Sequence, residues 1–245
     1  MNILYIYLFV FFIIFLIFNS CQEQETFIDM IPGGIQVRSS NYLNNKSRGL
    51  YATKNYKKNS KGRLEVICGS MFSGKTEELI KRIKRVEFAN QNYIVFRPKT
   101  DSRNPDNKII SHAKNEISAK IINKPKEILT LAANYDVIGI DEAQFFNDTL
   151  INVCNELANN GQRVIVAGLD MDYKGIPFGP IPHLMACAEE VTKVHAICVE
   201  TGELASYSYR KKTNNDLVMI GEKEEYEPLS RKEFVKKMNV RAKNK

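Results

Sequence analysis

The chain has 245 residues, 44% hydrophobic and 26% charged, a balance that fits a folded domain and excludes a low-complexity or fibrous chain. Its formal charge of +7 is unevenly placed, since residues 31–63 hold eight Lys and Arg and no Asp or Glu. Five cysteines, at 21, 68, 154, 187 and 198, form no C-x-x-C pair, which points away from a disulfide framework and toward a reducing compartment.

Residues 3–18, ILYIYLFVFFIIFLIF, are an unbroken apolar run that ends at NSCQEQE. Its length fits the core of a signal peptide or a very short membrane anchor. Cys21 after a small residue faintly resembles a lipoprotein processing site, yet the usual positive residues at the start are missing. Met30 supplies the other reading, in which translation starts there and residues 1–29 are an artefact of annotation; that is the expectation. Residues 30–62, rich in Asn, Ser, Lys and Gly, show no apolar periodicity and read as a disordered basic extension. Tyr42, Tyr51 and Tyr56, interleaved with the charges, would suit a nucleic-acid arm. A solvated tail is the simpler account.

From Arg63 the punctuation becomes regular. LEVIC (64–68) reads as a buried strand, and TEELIKRIKRVEFANQ as a helix with apolar positions at 79, 80, 83 and 86. NYIVFRP (92–98) is a second strand stopped by Pro98, residues 100–112 are a polar loop, and AKII (119–122) is a short strand. KPKEILTLAANY (124–135), with a proline near its first turn, reads as a helix. DVIGID (136–141) is a third buried strand, residues 148–161 are a helix closed by Gly161, and QRVIVAGLD (162–170) is a fourth strand. Strands alternating with helices predict an α/β fold whose parallel sheet is flanked by helices on both faces. Ligands of such a sheet lie beyond the carboxyl ends of its strands. After Gly168 a proline- and aromatic-rich stretch leads into a short helix. Two strand-rich segments follow, 194–212 and 216–234, joined by a turn at TNND, and predict a small β-rich appendage. The expected division is 63–190 for the main domain, 191–235 for the appendage and 236–245 for a basic tail.

Residues 69–76, GSMFSGKT, stand between the first strand and the first helix. The pattern G-x-x-x-x-G-K-[ST] describes a P-loop whose backbone N–H groups wrap a di- or triphosphate. Lys75 would reach the β/γ-phosphates and Thr76 would offer its hydroxyl to Mg²⁺. Gly69 and Gly74 permit backbone angles that a side chain would forbid. A plain glycine turn is the alternative, and the helix N-terminus that follows, which favours anions, argues against it. A protein that consumes a nucleoside triphosphate also belongs in the cytoplasm, which supports the start at Met30.

The third strand ends in IDEAQFF (140–146). An Asp at the end of an apolar strand is the usual partner of a phosphate loop, holding Mg²⁺ directly or through water, and Asp141 fits. Glu142 points to a different side, where a carboxylate near a γ-phosphate can take a proton from an attacking hydroxyl or water. Solvation or a helix cap is the alternative for such a pair. Whether water or a substrate hydroxyl attacks depends on a second pocket. Met71, Phe72, Phe145, Phe146, Leu169, Tyr173 and Phe178 form an apolar and aromatic set near strand ends, suited to a planar ring.

GSMFSGKTEELI, FRPKTDSR, IGIDEAQFF, VAGLDMDYKGIPFGP, HAICV and VMIGEKEEYEPLSR occur in the order and spacing of the type II thymidine kinases. From about Arg63 to Phe234 the chain resembles that family. The resemblance implies transfer of the γ-phosphoryl of ATP to the 5′-hydroxyl of thymidine, giving dTMP and ADP, with Mg²⁺ and usually in a homotetramer. It implies ATP contacts from Gly69, Ser70, Met71, Phe72, Ser73, Gly74, Lys75 and Thr76, and from Asp141, Glu142, Ala143 and Gln144. Thr76 and Asp141 would serve Mg²⁺, and Glu142 would be the base on the 5′-hydroxyl. Met71, Phe145, Leu169, Tyr173 and Phe178 are implied to line the thymine pocket, with Asp101 and Arg103 approaching the substrate from a loop. Residues 205–226 match the family's lasso, a loop closing over the base, in which Met219 and Tyr226 would meet the nucleoside. The appendage is then a lasso domain derived from a zinc ribbon.

Family members commonly anchor the lasso with zinc held by four ligands, usually cysteines. Here Cys198 remains, while the matching positions are Thr201, Ser230 and Glu233. One thiolate and one carboxylate do not close a tetrahedral site, so no zinc is expected. The ribbon would then be held by packing through Val199, Leu204, Ile220 and Leu229, with Cys198 a small buried residue.

Two rivals stand beside the kinase. DEAQ after a phosphate loop also fits a nucleic-acid-stimulated ATPase, but a helicase needs a second motor domain, for which the chain has no room. A membrane-tethered nucleotide-binding module without catalysis is the other, and the intact Lys75, Thr76, Asp141 and Glu142 argue against it. The expected partners are thymidine and ATP, with no nucleic acid, and a membrane only if residues 1–21 are a real anchor.

Overall fold

A computed structural model describes residues 62–101, 107–111, 115–211 and 225–243. The expectations for residues 1–61, Arg103, Met219, Ile220 and the turn at 213–216 lie outside the described residues. In chain order the main elements are β1 (Arg63–Cys68), α1 (Lys75–Phe88), β2 (Tyr93–Pro98), β3 (Lys108–Ile110), β4 (Glu116–Ser118) and β5 (Lys120–Ile122). There follow α2 (Glu127–Leu131), β6 (Val137–Ile140), α3 (Thr149–Asn159), β7 (Arg163–Gly168), α4 (Ile181–Cys187) and β8 (Glu190–Lys193). The chain continues through β9 (Ala196–Ile197), β10 (Leu204–Ala205), β11 (Tyr207–Arg210), β12 (Tyr226–Leu229) and α5 (Arg231–Lys243).

The sheet has the order β5-β2-β6-β7-β1-β8, with every neighbouring pair parallel. Its central strands are buried along nearly their whole length because helices cover both faces, which is why they read as continuous apolar runs. On one face Ile138, Ile140, Val164 and Val166 pack against Leu150, Val153 and Leu157 of α3 and Ile181 and Leu184 of α4. On the other, Ile67, Val95, Val137 and Ile165 meet Leu79, Ile80, Ile83 and Val86 of α1. Each such fully buried side chain stabilises the fold by roughly 1.5–3 kcal/mol relative to exposure. The order places β7 between β1, which feeds the phosphate loop, and β6, which ends at Asp141.

One charged residue sits inside this frame. Glu65 of β1 is buried and accepts hydrogen bonds from Arg82 of α1 at 2.7 Å and from Arg163 of β7 at 2.6 and 3.0 Å, with Arg63 also paired to it. Burial pushes its carboxyl up, but the bonds and charges of Arg163, Arg63 and Arg82 outweigh that and hold it below its ordinary range.

The lasso region has its own small core. β9 pairs antiparallel with β10, and β11 with β12. Ala196, Cys198, Ala205, Tyr207, Leu229 and Phe234 pack together, and Tyr207 stacks on Phe234 with ring centroids 4.5 Å apart.

Several expectations need correction. Val199 and Leu204 are 60% and 64% exposed, so they do not hold the ribbon; Leu204 faces Ile197 across a short hairpin whose apolar side points outward. Leu229 is buried and packs as expected, together with Tyr207 and Phe234. The segment read as the end of a strand-rich stretch and a basic tail is the single helix α5, fastened by buried Glu233 and Phe234. The boundary at 190/191 falls inside β8, an edge strand of the main sheet with an alternating half-exposed pattern that carries little apolar signal. The helix expected over 124–135 shrinks to the five residues of α2, and the polar loop at 100–112 contributes β3 to a hairpin with β4.

Candidate active site

The phosphate loop turns out of β1 at Gly69, whose φ of +145° and close approach to Val194 leave no room for a side chain: a Cβ there would lie 2.1 Å from the Val194 carbonyl oxygen. Gly74, at φ +86°, delivers the chain into α1. Lys75 Nζ donates to the Ser70 carbonyl oxygen at 2.7 Å, and Ser73 Oγ donates to the same oxygen at 2.8 Å, so the loop is curled around its own lysine. The N-terminus of α1 adds its partial positive charge below the loop.

Across the sheet, Asp141 and Glu142 follow β6 and are both buried. Thr76 Oγ1 lies 3.1 Å from Asp141 Oδ2 and 3.4 Å from Oδ1. A hydroxyl and a carboxylate meeting beside a phosphate loop are the oxygen donors that Mg²⁺ takes, so these residues fit that ion. Glu142 departs from the strand at φ +51°, a left-handed backbone that costs a non-glycine residue on the order of 1–3 kcal/mol. Asp101, beyond β2, is also buried; Arg97 Nη1 reaches its carbonyl oxygen at 3.2 Å and its carboxylate at 3.4 Å.

The lasso is hydrogen-bonded to the phosphate loop. Met71 N–H donates to Ser208 Oγ at 2.9 Å, and Ser70 Oγ donates to the Ala205 carbonyl at 3.2 Å. Phe145 and Phe178 meet edge-to-face at 5.9 Å. The Arg210 guanidinium lies 3.4 Å from the ring centre of Tyr173, and Arg210 is paired in register with Tyr226. Met71, Phe145, Leu169 and Phe178, the positions expected to line the substrate cleft, are half-buried.

Not every expected contact faces this cleft. Ala143 is fully buried in the core beside α3 and α4, where Phe146 also lies, and Phe72 packs against the lasso core. Gln144 is 2% exposed and its amide is taken up by Glu142 and Leu169. Sequence reasoning missed Arg97, Ser208 and Arg210. An arginine inside the strand FRP was a readable signal for the first; nothing local marks the other two. It also passed over Asp170, paired with Lys193 at 2.7 Å beside Cys68. Burial, with the Asp170 charge, pushes the Cys68 thiol up to about 11, which leaves it inert.

The positions that match the family's zinc ligands carry other contacts. The Cys198 sulfur faces the Thr201 hydroxyl and the backbone N–H groups of Ser230, Glu200 and Thr201. Burial pushes this thiol up, but those donors outweigh it and bring it down to about 7. Glu233 accepts from Lys236 at 3.3 Å. Among the described residues no three His, Cys, Asp or Glu side chains converge on one point. A thiolate ringed by donors is stabilised by hydrogen bonds where a zinc site would supply further ligands.

A phosphate loop after β1, a hydroxyl–carboxylate pair for Mg²⁺ and a second acid at the end of β6, on a parallel sheet, define the class of P-loop phosphotransferases. Comparison with known proteins narrows this. The thymidine kinase family profile matches residues 62–234. The chain is 58% identical over 171 residues to a thymidine kinase of Bacteroides fragilis, covering 70% of this chain and 86% of that one. It is 56% identical over 176 residues to a thymidine kinase of Bacteroides thetaiotaomicron, covering 72% and 88%. With a thymidine kinase of Rhodothermus sp. it shares 50% over 175 residues, 71% and 82% of the two chains. The chain belongs to the thymidine kinase family.

Proposed function

We propose that this chain is an ATP-dependent thymidine kinase that transfers the γ-phosphoryl group of ATP to the 5′-hydroxyl of thymidine, giving dTMP and ADP. The observation that carries this reading is the contact of Thr76 with Asp141, with Glu142 one residue on, beneath a lasso hydrogen-bonded to the phosphate loop. Backbone N–H groups of the 69–76 loop other than that of Met71, which Ser208 holds, bind the triphosphate, and Lys75 exchanges the Ser70 carbonyl for phosphate oxygens. Thr76 and Asp141 would hold Mg²⁺, which would supply charge neutralisation at the phosphates. Glu142 accepts the proton of the 5′-hydroxyl as that oxygen bonds to the γ-phosphorus and the bond to the leaving ADP oxygen breaks. Met71, Phe145, Leu169, Tyr173 and Phe178 grip the thymine ring, and Tyr226 closes over it.

The working division is a kinase domain through Lys193 and a lasso domain from Val194 through α5, metal-free, with Cys198 as a hydrogen-bonded thiolate. Family resemblance supports a homotetramer and a cytoplasmic location, with no nucleic-acid partner. Among the described residues no helix is long and apolar enough to cross a membrane.

The test is phosphoryl transfer from Mg·ATP to thymidine by residues 30–245, with Glu142→Gln as control. The expected result is dTMP formation that the substitution abolishes. ATP hydrolysis without dTMP, stimulated by single-stranded DNA, would assign the loop to an ATPase. No turnover with retained ATP binding would assign a binding module.

A further inference from the structure

The aim of the Glu142 carboxylate decides whether it can take a proton from a hydroxyl. It stands on a left-handed backbone beyond the end of β6, and its side chain has several rotatable bonds with which to miss that hydroxyl. One contact that fixes the carboxylate comes from two residues on. Gln144 is 2% exposed, and its amide bridges two groups. Nε2 donates to Glu142 Oε2 at 2.6 Å, and Oε1 accepts the Leu169 N–H at 3.0 Å.

This orientation of the amide is set by its surroundings. A flip would set an NH₂ against the Leu169 N–H and a carbonyl oxygen against the Glu142 carboxylate, two repulsive contacts in place of two attractive ones. The slot is closed around the side chain as well. A Cβ on Gly168 would lie 2.8 Å from Gln144 Oε1 and 2.6 Å from Ile181, and one on Gly179 would lie 2.4 Å from the Gln144 carbonyl oxygen. Gln144 therefore lies in a fitted position between the last residues of β7 and the acid.

We propose that Gln144 is a positioning residue: it ties the Glu142 carboxylate to the backbone of Leu169 and so fixes the base relative to the nucleoside. The proposal rests on the reading of Glu142 as the base. Leu169 is the shared reference, because its side chain belongs to the thymine pocket while its N–H anchors the bridge. A thymine seated against Leu169 then presents its 5′-hydroxyl to an acid aimed from that same residue. Asp141 is not part of this chain of bonds, so the metal and the triphosphate are held without Gln144.

The test is steady-state kinetics of the full chain with ATP and thymidine, comparing Gln144→Met, Glu142→Gln and the double variant. Methionine keeps the length of glutamine and removes the amide. The expected result for Gln144→Met is a kcat lower by about 10- to 100-fold with both KM values within about threefold, the pattern of a misplaced catalytic group. In the Glu142→Gln background the same change has no further effect, because the group it aims is already gone. An unchanged kcat overturns the proposal, as does a raised KM for ATP at full kcat, which would make Gln144 an ATP contact. Should Gln144→Met melt below the assay temperature, Gln144→Asn replaces it: folded with reduced kcat it supports the bridge, folded with full kcat it overturns it. If Glu142→Gln itself retains full kcat, the base has been misassigned and the proposal falls with it. A dead Glu142→Gln beside a fully active Gln144→Met rejects the bridge alone.

Discussion

The backbone N–H of Met71 and the hydroxyl of Ser208 meet at 2.9 Å, so a donor of the phosphate loop is engaged by the lasso rather than left pointing into the triphosphate site. Nucleotide grip and lasso position are thereby mechanically linked. Ser208→Ala removes one neutral hydrogen bond, on the order of 1 kcal/mol. The expected outcome is a drop of about 3- to 10-fold in kcat/KM for thymidine and ATP together, with the melting temperature little changed. A loss confined to ATP would mean that the contact serves the loop alone.

Arg210 is buried and its guanidinium lies against the ring of Tyr173. Cation–π contacts of this kind contribute about 0.5–2 kcal/mol, more when dry. Arg210→Met should leave Tyr173 free to rotate and raise the KM for thymidine about 10-fold, while the KM for ATP moves less than twofold. Isothermal titration with each ligand checks the split.

Glu65 gives the acid limb of stability. Its folded-state pKa lies below the ordinary 4.5, so its contribution is fully present above that value and is lost as pH falls through the folded one. Glu65→Gln removes the charge that Arg63, Arg82 and Arg163 share, although Arg82 keeps Glu78 and Glu190, and breaking a buried pair costs about 3–5 kcal/mol at neutral pH. Thermal melts of both proteins between pH 7 and pH 3 should show a gap that narrows below pH 4.5. Because the cluster lies toward the amino-terminal ends of the strands, kcat at 25 °C should not change.

Cys198 and its turn supply a test of the metal-free lasso. Overnight dialysis against a chelator should leave the melting temperature and kcat where they were, and elemental analysis should find far less than one zinc per chain. The thiol titrates near 7 when folded against 9.0 for a free cysteine. Wild type should therefore gain stability over Cys198→Ala as pH rises from 7 to 9, and lose that advantage below 7. A melting temperature that collapses on chelation would restore a metal to this site.

The sheet was legible because its central strands are buried on two sides and leave apolar runs at 93–96, 137–140 and 164–168, with 64–68 broken only by Glu65. The phosphate loop and Asp141 were legible because their spacing is local. What failed to show was set by distant contacts. β8 forms on the strength of its pairing with β1, not of its own sequence, whose alternate residues face solvent. Helix α5 is too polar to announce a buried face: besides Phe234 and Glu233 it is held by Lys237, paired with Glu200 and Glu227, and by Arg241 at the Arg210 carbonyl. The resemblance implies that Gln144 meets ATP; its bond to Leu169 was not legible, because that residue lies a helix and a strand further along the chain.

The two glycines flanking Gln144 carry a consequence for inheritance. Neither needs to touch a nucleotide, yet each keeps clear a space that even one methyl group would invade. Single-base changes at the codons for Gly168 and Gly179 should therefore be counted among the null alleles in a selection for thymidine use. They would act by displacing Gln144 and by straining the fold, and no substrate-contact map would have flagged them.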